Sequence, residues 1–176
     1  MSVIFLAGVH GVGKGFLGAP VAKSLEMDHL TASQLIRQEK GRTTWSEDKR
    51  VVEVDDNQLA LIRAVTRLHE SRKRILLDGH FVLRNTSGEL TKLPPDVFAQ
   101  LRLAGAIVLT EDAAIISQRL AGRDGIQTSS NAIAELAAEE ALHAENVCRT
   151  LQIPLTIIHS PSESSLMDAV TGLLAR

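Results

Sequence analysis

The stretch "GVHGVGKGF", Gly8 to Phe16, decides how this chain is read. It follows the apolar run "VIFLAGV" (3–9) and leads into residues of helical character. Gly8, Gly13 and Lys14 stand in the register of a phosphate-binding loop, G-x-x-x-x-G-K followed by serine or threonine. In such a loop glycines let backbone N–H groups turn inward around a phosphate, and the following helix adds its dipole. Lys14 supplies a mobile positive charge for the terminal phosphates. The departure comes next, where Gly15 and Phe16 stand in place of the expected hydroxyl residue. A glycine-rich turn beside a surface lysine is the plainer alternative. Spacing, preceding strand and following helix together favour the phosphate loop. Gly13, Gly15 and Gly18 also match G-x-G-x-x-G, but that pattern begins after the turn has been made. No acidic residue closes a convincing second strand at the right distance, so the dinucleotide fingerprint is set aside.

Outward from the loop, continuous apolar runs alternate with helical patterns. The runs lie at 3–9, near "MDHL" (27–30), at "RILLDGH" (74–80), "AIVLTE" (106–111) and "LTIIHS" (155–160). Unbroken apolar runs point to strands covered on both faces, as in a parallel sheet. Helices are expected over 13–25, 31–39, 51–70, 95–103, 112–121 and 131–151, with a last one after Pro161. Thr31 with Gln34, and Ser160 with Glu163, have capping-box spacing. This alternation predicts an α/β fold: a three-layer P-loop NTPase with a parallel five-stranded sheet flanked by helices, in one domain over 1–176.

Composition narrows the function classes. A net charge of −2 offers no general attraction to nucleic acid or to an anionic membrane. Aromatic residues make up only 3%, with no tyrosine, which argues against a base-stacking platform for single strands. One cysteine, Cys148, permits no internal disulfide; the start "MSVIFLAGV" is too short and uncharged to be expected to act as a signal peptide, and no apolar run reaches membrane length. A cytoplasmic protein is expected. Six histidines and one cysteine form no zinc spacing.

The order G-x-x-G-x-G-K-G resembles the phosphate loop of adenylate kinases and their nucleoside monophosphate kinase relatives, in which glycine follows the lysine. That family then has threonine where this chain has Phe16, and proline where it has His10. "HLTASQLIR" (29–37) resembles the start of the acceptor site, and the resemblance assigns Arg37 to the acceptor phosphate. "ILLDGHFVLR" (75–84) resembles the strand ending in Asp-Gly, with Asp78 and Gly79 in register. The family's next arginine lies two residues closer to that aspartate than Arg84 does. "ISQRLAGRDG" (116–125) resembles the start of the lid, with Arg119 and Arg123 matching its two arginines; the later lid arginines have no counterpart. The chain resembles a divergent branch that includes small bacterial ATP-binding proteins of the AAA kind.

The resemblance implies ATP and magnesium as cofactors and a small nucleotide acceptor as partner. Gly8, His10, Gly11, Val12, Gly13, Lys14, Gly15 and Phe16 would hold ATP. Lys14, Asp78, Arg119 and Arg123 would be catalytic, with Asp78 also orienting the metal or its waters. Arg37, His80 and Arg84 would meet the acceptor. An acceptor arm is expected over about 29–72, where Arg42 or Trp45 could touch substrate, and a short lid over about 119–130. Each residue also has a plainer reading: Asp78-Gly79 as a turn, Arg37 as a solvated helix end, Arg119 and Arg123 as a wet basic face, His80 as a structural imidazole. The expected reaction moves the ATP γ-phosphate to a nucleoside monophosphate. Two rivals stay open: a kinase acting on a hydroxyl of a metabolite or of a nucleic-acid 5′ end, and an ATPase switch acting through a protein partner. Phe16 and the sparse lid favour the switch.

Overall fold

Val3–Ala7 forms β1, and its burial explains why no polar residue interrupts it. Val3, Phe5 and Ala7 face one apolar cluster while Ile4 and Leu6 face another, so both sides of the strand are covered. In the computed structural model β1 is the middle strand of a five-stranded sheet, order β2-β3-β1-β6-β7, every pairing parallel. The other strands are β2 (Asp28–Thr31), β3 (Ile75–Asp78), β6 (Gly105–Thr110) and β7 (Leu155–His159). The structure describes residues 2–42, 53–70, 73–85, 88–124 and 128–176. The expected five strands are all present, each within a few residues of the apolar run that announced it.

Helices cover both faces. One face carries α2 (Ala32–Arg42), α3 (Glu53–Glu70), α4 (Pro95–Leu101) and most of α6 (Ser130–Leu151); the other carries α1 (Lys14–Ser24), α5 (Ala113–Asp124) and α7 (Glu163–Leu174). This is the three-layer α/β arrangement of P-loop proteins. Under the first face Phe5, Phe81 and Phe98 form a ring cluster, with centroids 4.5 to 5.6 Å apart. Truncating one such buried ring to alanine costs roughly 3–5 kcal/mol. Phe81 of this cluster belongs to the segment that follows Asp78, so core packing anchors that segment just beyond the end of β3.

Helix starts follow local chemistry. Thr31 caps α2 in the expected box: the Gln34 N–H donates to Thr31 Oγ1 at 3.2 Å, and the Thr31 N–H to Gln34 Oε1 at 3.3 Å. The last helix begins later than the spacing suggested. Its box is Ser162 with Ser165, because Ser160 turns left-handed (φ 46°) and gives its hydroxyl to Glu111 at 3.0 Å. A short antiparallel hairpin, β4 (Val82–Arg84) with β5 (Leu90–Lys92), was not anticipated. Its strands are three residues each, too short to show a period. Among the described residues no helix is long and apolar enough to cross a membrane.

Candidate functional site

Open parallel sheets bind ligands beyond the carboxyl ends of their strands, where neighbouring connections leave in opposite directions. Here β1 lies between β3 and β6 and passes straight into the glycine loop. Gly8 must be glycine: its φ is +136°, and a Cβ there would stand 2.5 Å from the Leu109 carbonyl oxygen. Gly13, at φ 110°, caps α1 with no side chain, so Lys14 opens the helix with the loop amides ahead of it. Above lies a cleft of about 760 Å³, lined by the loop from Val9 to Leu17, by Thr31–Ser33, by Asp78–His80, and by Arg119, Leu120 and Pro161.

Lys14 is only 7% exposed. Its Nζ donates to the Gly8 carbonyl at 2.6 Å and stands 3.7 Å from Asp78 Oδ1. Burial lowers the amine's pKa, opposed by the charges of Asp78 and Glu140. Burial raises that of Asp78, opposed by Lys14 and His29. Each ion thus depends on its partner to stay charged away from water. A polyphosphate arriving at the loop would give Lys14 a second anion, and a cation beside Asp78 would meet a carboxylate that burial leaves under-neutralised. The residues present therefore fit magnesium through Asp78. They offer it no hydroxyl at position 15, where an added Cβ would meet nothing within 4 Å.

Arg119 is held at the rim by the Val12 carbonyl (3.3 Å) and by Glu111 (3.2 Å). Hydrogen bonding from the Asp112 N–H, then from Ser160 and Arg119, keeps the Glu111 carboxyl below its ordinary range. Arg123 lies one turn further along α5, its side chain outside the described residues. Phe16 lines the cleft with 84% of its surface exposed, unlike Phe5, Phe81 and Phe98, which are buried. His80 also lines it. Burial, then Lys14 and His10, push its imidazole down to about 3, so it is neutral at ordinary pH.

The acceptor candidates are placed differently. Arg37 is exposed one turn beyond Ser33 on α2 and does not line the cleft. Arg84 turns to α6, donating to the Ala132 carbonyl and to Glu135, each at 3.2 Å. Val82, buried, stands where the resembled family has its arginine. The arm's residues 43–52, with Trp45, and the lid's 125–127 lie outside the described residues, as does the Arg42 side chain. His69 and His143 serve structure, bonding the Leu101 and Leu93 carbonyls.

Sequence reasoning missed Glu140. It is 1% exposed on α6, and its carboxylate accepts the N–H groups of Gly8, Phe81 and Val82. A signal existed: Ile133, Ala137, Ala144 and Val147 form an apolar stripe, and Glu140 sits on it at helical spacing.

The model of the AAA domain family matches residues 7–137, from the end of β1 into α6. No curated protein matches the chain by sequence. Similar solved structures include a shikimate kinase from Acinetobacter baumannii, 18% identical with a TM-score of 0.61, covering 99% of this chain and 93% of that one. A gluconokinase from Sinorhizobium meliloti 1021 is 16% identical with a TM-score of 0.58, covering 99% and 92%. A sugar kinase from Janibacter sp. HTCC2649 is 14% identical with a TM-score of 0.58, covering 99% and 95%. At these identities the likeness is one of fold.

Proposed function

The chain belongs to the AAA domain family, and on that premise we propose that it is an ATP-dependent phosphotransferase that moves the γ-phosphate of ATP to a small acceptor. One observation carries the reading: Lys14 and Asp78 face each other at 3.7 Å at the mouth of the phosphate loop. Phosphoryl transfer asks for positioning and charge neutralisation more than for covalent chemistry. Loop amides and Lys14 bind the β- and γ-phosphates, and Arg119 answers charge from the rim. Magnesium, when bound, neutralises phosphate oxygens, and Asp78 would hold it or its waters. The acceptor oxygen bonds to the γ-phosphorus as the bridge to the β-phosphate breaks. Arg123 joins Arg119 in closing over the phosphates.

The resemblance makes the acceptor a nucleoside monophosphate, with Arg37 clamping its phosphate. A second reading, transfer to a hydroxyl, has support of its own. Arg84 is engaged on α6 and Val82 is buried at the arginine position, while Thr31, Ser33 and neutral His80 offer neutral hydrogen-bonding groups. The solved gluconokinase and shikimate kinase share the fold. With γ-labelled ATP and magnesium, a panel of nucleoside monophosphates, aldonic acids, polyols and cyclic alcohols separates the two. Label on a monophosphate supports the first, and label on an alcohol the second. Label released only as inorganic phosphate, whatever the acceptor, would overturn both in favour of an ATPase switch.

A further inference from the structure

We infer that Glu140 is a positioning residue that holds the start of the phosphate loop in register with the segment carrying Asp78. Two chain segments meet on this one side chain. Gly8, where β1 becomes the loop, donates its N–H to Oε1 at 3.3 Å. Phe81 donates to Oε1 and Oε2 at 3.0 Å each, and Val82 to Oε2 at 2.6 Å. His80 Nδ1 lies 3.8 Å from Oε1. These partners are 132, 59 and 58 residues away in sequence.

A helix that needed only to pack would carry an alanine or leucine at this place in its apolar stripe. A buried carboxylate instead is tolerable only while its oxygens are satisfied. Burial raises its pKa, opposed first by the amides of Phe81, Val82 and Gly8. The amides need it equally, since none of the three lies in a helix and buried N–H groups require an acceptor. Lys14 follows Gly8 by six residues, and Asp78 precedes Phe81 by three. The distance between that lysine and that aspartate therefore depends on how Gly8 and Phe81 are held relative to one another, and Glu140 holds both.

The chemistry of the amide isostere makes this testable. In Glu140→Gln the single remaining oxygen can keep Phe81 and Val82, the two shorter contacts. The new NH2 group then faces the Gly8 N–H and one branch of the forked Phe81 bond, donor against donor. The substitution leaves Gly8 without an acceptor on this side chain, while Phe81 and Val82 each keep a bond to the remaining oxygen. The inference rests on the phosphate-loop reading, so the experiment separates the two. Binding of a non-hydrolysable ATP analogue with magnesium is measured by calorimetry for the wild type, Glu140→Gln and Glu140→Ala, with circular dichroism and amide exchange alongside. The expected result is a folded Glu140→Gln that binds the analogue about tenfold more weakly, with faster exchange at the Gly8 amide and preserved protection at Val82. Glu140→Ala should bind more weakly still; if it does not fold, the glutamine variant carries the test. Wild-type affinity in folded Glu140→Gln, even with a lowered melting temperature, would overturn the inference and leave Glu140 a merely structural group. Failure of the wild-type protein to bind the analogue would overturn the phosphate-loop reading, and the inference with it.

Discussion

The proposed donor and acceptor sites are built differently. At the phosphate loop Lys14 is buried, bonded to Gly8 and paired with Asp78, while Gly8 is tied to α6 through Glu140. Of the residues proposed for the acceptor, Arg37 is exposed outside the cleft lining and Arg84 is engaged on α6. The donor half hangs from the middle strand and the ring cluster, so core packing determines its geometry before any ligand arrives. Arg37, the residue proposed for the acceptor phosphate, hangs from α2, which is joined to α3 by the pair of Arg67 with the buried Glu39. Preorganised charge is worth most where charge develops, at the transferring phosphate. Substrate selection tolerates a looser frame. On the proposed function, that difference separates a preorganised donor site from an acceptor site that its ligand must complete.

The sharpest way to break the contrast is Lys14→Ala. It should lower ATP-dependent turnover by about a hundredfold to a thousandfold with circular dichroism unchanged, measured by transfer from γ-labelled ATP. Wild-type turnover in a folded variant would mean the donor half is not where the structure suggests.

A smaller effect tests the acceptor side. Arg37→Ala should raise the acceptor KM about tenfold, equivalent to ~1.4 kcal/mol, and leave the ATP KM alone. Arg84→Ala should leave both near wild type, because its partners are on α6. Equal effects of the two substitutions on the acceptor KM would dissolve the distinction between them.

His80 lines the cleft and gives a pH test. Its folded pKa is depressed to about 3, whereas the unfolded value is near 6.5. The unfolded chain therefore takes up a proton first as pH falls below 6.5, and stability is lost across the window from 6.5 down toward 3. Glu140 and Asp78, both raised, act in the opposite sense, so the comparison must be a difference. Relative to His80→Asn, the wild type should lose about 1 kcal/mol, after allowance for partial exposure, between pH 7.5 and 4.5. Parallel melting curves across that range would show that His80 is not held neutral.

The smallest expected change is Gly15→Ser. A Cβ meets no atom there within 4 Å, so stability should shift by no more than about 0.5 kcal/mol. The added hydroxyl should lower the magnesium concentration needed for half-maximal turnover. No change in magnesium dependence would mean that the missing hydroxyl is not what limits metal binding.

Much of the donor half was legible in the chain. Gly8, Gly13 and Lys14 carry a short-range pattern whose meaning comes from backbone geometry, and a strand and a helix flank it as the apolar runs implied. Asp78 was legible for the same reason, as the polar end of a buried strand. Glu140 was not read, although a carboxylate interrupting an apolar stripe is a local signal. The hairpin after Asp78 has strands too short to show a period, and the last helix moved its cap because Ser160 was drawn to Glu111.

The sequence by itself determined what depends on neighbouring residues: strand and helix order, the glycine loop and the lysine that opens α1. Only the tertiary structure decided which charges meet. Lys14 finds Asp78 because β1 and β3 lie side by side in register, Leu6 against Asp78. Arg84 finds Glu135 on α6, outside the cleft lining, and Glu140 gathers amides from two distant segments. The physical reason is range. Turn and helix preferences act over a few residues, whereas the partner of a buried charge is set by packing of the whole sheet and its layers.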